Sequence, residues 1–238
     1  MLNLKKMGTK SGNTICCNDC LFKVFVSKFI SKENFGLLYK NSVQVRYAKG
    51  EYIIKQGTLS QHVIFLSKGR VKFSYETESG KNVILAISTA PGLLGGFNMI
   101  NEDHSFFSII AIEDVEVCLI RIDILKNLVS ANSELAVKMV EFVSSIFKDS
   151  VYNFISMAHK QVNGRIAGIL IYLADTVYRS PKFTLTISRK EISEFANCSL
   201  ENVIHTLSRL NKEGIISLNN KTIEIVDREK LESISKFG

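Results

Sequence analysis

The sequence lacks several features that define common protein classes. It has only 2 prolines and 14 glycines in 238 residues, which excludes collagen-like and proline-rich linker sequences. No apolar run approaches the roughly 20 residues that cross a bilayer. Residues 1–14 also lack the apolar core that a signal peptide needs. We therefore expect a protein that stays in the cytoplasm.

Motifs of the common enzyme classes are missing as well. The sequence has no glycine-rich phosphate loop, no Gly-x-Ser-x-Gly and no His-Glu-x-x-His. The histidines lie far apart in the sequence, without obvious carboxylate partners: His62, His104, His159 and His205. We therefore do not expect an enzyme.

The composition is that of a globular protein. Hydrophobic residues make up 46% of the chain and charged residues 22%. The net charge of +7 is compatible with a polyanionic partner. The 5 cysteines are an odd number in a chain without an export signal, so we expect no disulfide framework.

The period of the hydrophobic pattern changes along the chain. Between about residues 43 and 122, short apolar runs alternate with polar residues and are separated by glycine-containing turns such as Ser79-Gly80-Lys81. Many short strands at this spacing are typical of a sandwich, roll or barrel. After Asp123 the period becomes helical, and residues 133–159 form one long predicted helix, with Asn132 or Ser133 as its N-cap.

An apolar stripe runs along this long helix. Its members recur at spacings of three or four residues: Ala136, Val140, Val143, Phe147, Val151, Phe154 and Met157. The stripe could pack on the β domain of the same chain, or it could form a seam with a second copy. We favour the second interpretation, a twofold-symmetric homodimer, because the stripe is longer than one small β domain could cover. Gly164, just past the helix, is predicted to be a hinge.

Residues 185–226 carry the most informative pattern. Ser188 and Glu191 form a predicted capping box at the start of one helix, and Ser199 caps a second helix that Gly214 ends. A β-hairpin that turns at Asn219-Asn220 follows. Helix, tight turn, helix and hairpin together are typical of a winged helix-turn-helix, whose second helix enters the major groove of DNA.

The outward side chains of these two helices are the candidate DNA contacts. Glu201 can accept a hydrogen bond from cytosine N4, and His205 lies one turn later. Basic and hydroxyl side chains are expected to contact phosphates. The predicted DNA-binding residues are Arg189, Ser199, Leu200, Glu201, Ile204, His205 and Arg209.

The order of β-roll, long helix and winged helix-turn-helix resembles the Crp/Fnr family of bacterial transcription regulators. The most specific segment is residues 188–203, where the family shows an Arg-x-Glu-Ile start, a small-residue turn and a Ser/Thr-x-Glu-Thr/Ser-Val recognition helix. Glu201 falls on the family's base-reading glutamate, and Leu200 falls on a variable specificity position. His205 stands where most members carry a guanine-reading arginine, so the family's usual operator is not implied.

The resemblance implies an α+β fold in three parts. Residues 1–131 would form an effector-sensing domain built on a double-stranded β-helix, of the jelly-roll or cupin-like kind found in cyclic-nucleotide-binding domains. Residues 132–160 would form the dimerisation helix, and residues 161–238 the winged helix-turn-helix domain. The partners implied are double-stranded DNA with a palindromic operator, a second copy of the chain and RNA polymerase.

The cyclic-nucleotide branch of the family holds its ligand with a Gly-Glu pair and a nearby arginine. Here Gly95 matches, but Gly96 replaces the glutamate, and no arginine lies between Arg70 and Arg121. Because a buried phosphate without a cation is heavily penalised, we do not expect cyclic AMP as the effector. An apolar effector pocket would involve Gly95, Gly96, Phe97, Ser105 and Phe106. The alternative, which we favour for the apolar residues after Ser105, is an ordinary packed core.

The oxygen-sensing branch of the family implies an iron–sulfur cluster on four cysteines. Cys17-x-x-Cys20 resembles the start of that set, and Cys118 falls at its last position, but Val26 stands where another cysteine should follow. Cys16 would have to substitute for it. One alternative is that Cys17 and Cys20 form a simple thiol sensor. Cys118 would then be an ordinary small hydrophobic residue buried in the core.

The sequence thus predicts a DNA-binding transcription regulator whose effector is unknown. The alternative is a cyclic-nucleotide-binding-type regulatory module that acts on a protein partner. That alternative accounts for the β-roll but leaves the winged helix without a role.

Overall fold

A computed structural model describes residues 31, 34, 36, 38, 40–59, 61–94 and 104–238. Its N-terminal strands are β1 (Ser42–Tyr47), β2 (Tyr52–Ile54), β3 (His62–Lys68), β4 (Arg70–Glu76), β5 (Asn82–Thr89), β6 (Gly92–Leu94), β7 (Ser108–Ala111) and β8 (Val115–Arg121). Two helices follow directly, α1 (Ile122–Ser130) and α2 (Ser133–His159).

The C-terminal elements begin after α2. They are α3 (Val162–Tyr172), a π-helical turn (Leu173–Tyr178), β9 (Lys182–Thr184), α4 (Arg189–Ala196), α5 (Leu200–Lys212), β10 (Ile216–Asn219), β11 (Thr222–Ile225) and α6 (Arg228–Phe237). The mixture of helices and sheets confirms the predicted α+β fold. None of the helices in the described part of the chain combines the length and the hydropathy that a membrane span requires.

The N-terminal strands form two antiparallel sheets that face each other. The first has the order β1-β8-β3-β6, and the second β2-β7-β4-β5. Successive residues of a strand point to opposite faces of its sheet. On β8, Val115 and Val117 therefore join the core between the sheets, whereas Cys118 and Ile120 join a second cluster on the outer face.

Each outer face of this β-roll is covered by helices. On the first sheet, Val63 and Phe65 of β3 pack against Leu125 of α1 and Leu135 at the start of α2. On the second sheet, Ile84 and Ile87 of β5 share one buried cluster with α3, α4 and α5. The winged helix-turn-helix therefore packs directly on the β-roll of its own chain.

The long helix α2 has the predicted bounds, which confirms that element. The Asn132 side chain caps it by accepting a hydrogen bond from the Leu135 amide at 2.9 Å. From Val140 to Phe154 the apolar stripe is exposed, and Phe147 and Phe154 keep 69% and 74% of their surface accessible.

The prediction of a hinge at Gly164 is wrong. The backbone leaves the helical conformation at Lys160 and Gln161, both extended, and Gly164 lies inside the first turn of α3. Its missing side chain makes room for the backbone carbonyl of Gly238, which a Cβ at this position would strike. The strand β9 and the helix α6 are elements that the sequence pattern did not indicate.

Candidate nucleic-acid interface

The helix pair α4–α5 is built from local capping signals. At the start of α4, Ser188 Oγ accepts from the Glu191 amide at 3.2 Å, and Glu191 Oε2 accepts from the Ser188 amide at 2.7 Å. This is the predicted capping box. Asn197 ends α4 in the left-handed conformation with φ of 46°, and Ser199 Oγ then accepts from the Asn202 amide. These contacts confirm the predicted helix, turn and helix.

A guanidinium that sequence reasoning missed holds the turn between the two helices. Arg165 of α3 donates from Nε to the Ala196 carbonyl at 2.8 Å and from Nη2 to the Asn197 carbonyl at 3.3 Å. Its Nη1 donates to the Lys160 carbonyl at 3.0 Å. One side chain therefore satisfies carbonyls at the end of α4 and links the turn to the end of α2.

The buried and exposed faces of α5 separate as predicted. Val203, Leu207 and Leu210 are at most 1% exposed and hold α5 against the domain core. The opposite side is open to solvent, and the residues predicted there are Leu200, Glu201, Ile204 and His205. Arg189 and Ser199, at the starts of the two helices, are exposed as well.

The structure defines the surroundings of two of the predicted contacts, Glu201 and Arg209. Backbone amide hydrogen bonding at Glu201, followed by the hydroxyl of Ser199, holds the pKa of the Glu201 carboxyl below its usual value. Glu201 is therefore an ionised acceptor at neutral pH. Arg209 is only half exposed, and its buried Nε lies 3.8 Å from Glu213 Oε1, which is too long for a hydrogen bond.

The hairpin of β10 and β11, which is the predicted wing, lies beside α5. Strands β10 and β11 pair in antiparallel register, and Asn220 takes the left-handed conformation at their turn with φ of 53°. Asn211 Oδ1 of α5 accepts from the Leu218 amide at 2.8 Å and ties the wing to the helix. The sheet is completed by β9, which pairs with β11.

Polar contacts join this domain to the β-roll. Lys72 Nζ of β4 donates to Glu191 Oε1 at 2.6 Å. The Tyr172 hydroxyl of α3 donates to the Ile87 carbonyl at 2.7 Å and accepts from the Ile87 amide at 3.2 Å. Arg70 donates to the Val177 carbonyl at 3.2 Å. The first helix of the α4–α5 pair is thus coupled to the strands of the roll.

The predicted effector pocket is only partly described. Gly95, Gly96 and Phe97 lie outside the described residues. The buried Ser105 hydroxyl donates to the Phe107 carbonyl at 2.8 Å, while Phe106 is 69% exposed and stacks on Tyr75. The effector pocket therefore stays a prediction.

The cysteines of the possible cluster are divided in the same way. Cys16, Cys17 and Cys20 lie outside the described residues, whereas Cys118 is buried on the helix-covered face of β8. Among the described residues, no group of three or more His, Cys, Asp or Glu side chains could hold a metal ion. The cluster remains a hypothesis.

Comparisons with known proteins match both halves of the chain. A family model described as a cyclic nucleotide-binding domain matches residues 44–132, and a Crp-like helix-turn-helix domain matches residues 164–234. Electron transport regulator A of Shewanella oneidensis is 24% identical over 98% of this chain and 95% of its own length. The anaerobic regulatory protein of Pasteurella multocida is 26% identical over 97% and 87%.

Solved structures show the same fold. FixK2 of Bradyrhizobium japonicum superposes with a TM-score of 0.73 at 20% identity, covering 81% of this chain and 96% of its own. A Crp/Fnr-family regulator from Eubacterium rectale has a TM-score of 0.74 at 16% identity, covering 89% and 97%.

Fold and interface together define a class, a DNA-binding transcription regulator with a cyclic-nucleotide-binding-like domain. Within that class, the chain belongs to the Crp/Fnr family. Regulators of this family bind DNA and act as dimers, and they are not enzymes. The matched helix-turn-helix favours this function over a module that acts only on a protein partner.

Proposed function

We propose that the chain acts as a homodimer that reads a palindromic operator through α5. The observation that carries the proposal is the exposed row of Leu200, Glu201, Ile204 and His205 on a helix whose other face is fully buried. Arg189, Ser199 and Arg209 are proposed to contact phosphates and to set the position of α5 in the major groove. Residues 161–238 would then be the DNA-binding domain.

The seam between the two copies is assigned to α2, within residues 132–160. Exposed apolar side chains on one stripe of a 27-residue helix are typical of a two-stranded helical seam. A twofold dimer places two recognition helices on one face of the DNA, which matches a palindromic site.

Two further assignments follow from this function. A bacterial transcription regulator acts on the chromosome, which lies in the cytoplasm, so we assign the protein to the cytoplasm. One relative, from Pseudomonas aeruginosa, carries the name transcriptional activator protein anr. An activator bound beside a promoter raises transcription through RNA polymerase, so we include the polymerase as a partner.

The sensing role is assigned to residues 1–131, with an effector other than cyclic AMP. Gly96 offers no carboxylate for a ribose, and no arginine stands between Arg70 and Arg121 to hold a cyclic phosphate. In the described structure Arg70 already binds Glu113 through two contacts of 3.0 Å. It also donates to the C-terminal domain, so its charge is not available to a ligand.

An in vitro selection from random duplex DNA tests the proposal. The full chain is purified once with oxygen and once without it, and both samples are selected in parallel. We expect a site with twofold symmetry, and a difference between the two samples would reveal a redox signal. Failure to enrich any sequence in either sample would overturn the proposed function. An enriched site without twofold symmetry would overturn the proposal that a dimer binds a palindromic operator.

A further inference from the structure

Two aliphatic side chains remain exposed on the recognition helix, beside its polar ones. Leu200 is 38% exposed and Ile204 is 46% exposed, whereas the inward aliphatic residues of α5 are at most 1% exposed. Residues four apart are neighbours on a helix, with about 5–6 Å between their Cβ atoms. Leu200 and Ile204 therefore form one apolar row, which lies next to the row of Glu201 and His205.

This row needs a partner of matching chemistry. Neither side chain can donate or accept a hydrogen bond, so neither gains from phosphates or from most base edges. In the major groove the apolar group is the C5-methyl of thymine. The exposed cations Arg189, Lys190 and Lys212 lie on the same helix pair and suit the phosphates of a duplex. These charges favour DNA as the occupant over an apolar protein surface.

We propose that Leu200 and Ile204 are specificity-determining residues that read thymine methyl groups in each half-site. This inference rests on the proposed function, because it assigns a target to the same face of α5. Four residues of helix rise about 6 Å, and neighbouring base pairs are about 3.4 Å apart. The two methyl groups therefore lie no more than about two base steps from each other. The operator contacted here is a duplex with closely spaced A·T pairs.

Deoxyuridine provides a test that leaves the protein unchanged. It pairs as thymine does and keeps the O4 acceptor but lacks the methyl group. The operator selected with the full chain is synthesised with each half-site thymine replaced in turn, and affinity is measured at fixed salt. At two positions in each half-site, we expect a single replacement to weaken binding about fourfold. That factor is the free energy of burying one methyl group. Replacing thymines in the flanks is the control and should leave affinity unchanged.

Protein variants then assign each methyl group to a side chain. Ile204→Ala and Leu200→Ala should each bind the thymine operator more weakly than the native protein. The affinity of each variant should no longer respond to deoxyuridine at one position and should still respond at the other. Val43→Ala removes a more exposed aliphatic side chain from β1, and it should keep both sensitivities. Because all three side chains are exposed, the variants should fold, and circular dichroism of each checks this.

The outcomes separate this inference from the function on which it rests. If native protein selects a site and ignores every half-site methyl group, the thymine reading is wrong and the proposed function stands. The same conclusion follows if the two alanine variants lose affinity equally for thymine and deoxyuridine operators, because the row then serves protein packing. If no site is selected, both the function and this inference fail.

Discussion

Lys72 and Glu191 join the β-roll to α4, the first helix of the helix-turn-helix. The Lys72 Nζ lies 2.6 Å from Glu191 Oε1, and the two side chains are only 13% and 24% exposed. The same carboxylate closes the capping box of α4 through its other oxygen. One side chain therefore both starts the helix and fixes it to β4 of the roll.

Removing the cation of this pair should destabilise the protein. Lys72→Met keeps the length and the apolar stem of the side chain but leaves the Glu191 carboxylate half buried without its partner. We expect the free energy of unfolding in urea to fall by about 1.5–3 kcal/mol. Lys81→Met, at an exposed turn, is the control and should change it by less than about 0.5 kcal/mol. Equal effects of the two variants would show that the ion pair contributes nothing.

The same contact predicts a dependence of stability on pH. Burial alone would raise the pKa of Glu191, but hydrogen bonds from Lys72 and Ser188 outweigh it and hold the pKa below the ordinary value of a glutamate. A carboxyl whose pKa is lower in the folded state stabilises the protein above its unfolded pKa, and that contribution is lost as pH falls through the folded value. Stability should therefore drop below about pH 4.5.

The matched variant for the pH experiment is Glu191→Gln, which keeps a residue that can complete the capping box. Burial raises the pKa of the neighbouring Glu194, which contributes with the opposite sign. The charge of Glu191 itself helps to raise the pKa of Glu194, so the difference between native and variant curves reports Glu191 together with its coupling to Glu194. That difference should shrink as pH falls below about 4.5. A constant difference between pH 3 and 7, roughly the range over which a carboxyl titrates, would contradict the assignment.

A charge on the apolar stripe of α2 should separate the dimer. Phe147→Glu places two carboxylates at a symmetric seam, which costs several kcal/mol. We expect sedimentation to show monomers and specific DNA binding to be lost. Ser145→Glu adds the same charge to the opposite side of α2 and should leave the dimer intact. A dimer in both variants would mean that the seam lies elsewhere.

Glu201 should contribute to discrimination rather than to overall affinity. An ionised carboxylate near phosphates is unfavourable unless it gains a partner such as cytosine N4. Glu201→Ala should weaken the preferred site by about 1–3 kcal/mol and relax one base pair in each half-site. Binding to random DNA should stay the same or improve, because one negative charge is removed.

The control for Glu201 is a phosphate contact. Lys212 is exposed on α5, whereas Arg209 is partly enclosed and lies near Glu213. Lys212→Ala should weaken binding to all DNA sequences alike. It should also reduce the slope of log affinity against log salt concentration by about one unit. If Glu201→Ala also weakens specific and random DNA equally, Glu201 only supports the fold, and base reading passes to His205 or Leu200.

Cyclic AMP should not bind in the way that the family's cyclic-nucleotide branch uses. We expect calorimetry of the full chain with cyclic AMP to show no saturable heat. Tens of micromolar cyclic AMP is enough for the test, because it is about ten times the Kd of a micromolar site. The reason is the missing carboxylate at Gly96 and the engagement of Arg70 with Glu113. Saturable binding would mean that another side chain holds the phosphate.

Much of the fold was predictable because its signals are local. Ser188, Glu191 and Ser199 bind backbone amides within three residues of themselves, so their spacing alone predicts where α4 and α5 begin. Gly214 takes a positive φ of 70° directly after α5, as its position predicts. The outward residues of α5 follow from the helical period once its inward aliphatic residues are known.

Other features depended on contacts between distant segments. Cys118 lies on an apolar strand by its sequence, but only the sheet order shows that it faces α1 and α2 rather than the core between the sheets. Gly164 looked like a hinge, yet its role is to admit the Gly238 carbonyl. The short β9 is a strand because β11 offers it a partner.

The sequence by itself therefore determined the capped helix pair, the long helix, the alternating strands and the family, since each depends on neighbours within a few residues or on a motif. Only the tertiary structure decided what covers the outer faces of the roll. Strict alternation would place Ile84 and Ile87 on opposite faces of β5. An irregularity in the pairing of β5 with β4 lies between them, and both join one buried cluster with α3, α4 and α5. Arg165 and Lys72 acquire their roles in the same way, because their partners lie 31 and 119 residues away in the sequence and only packing brings them together.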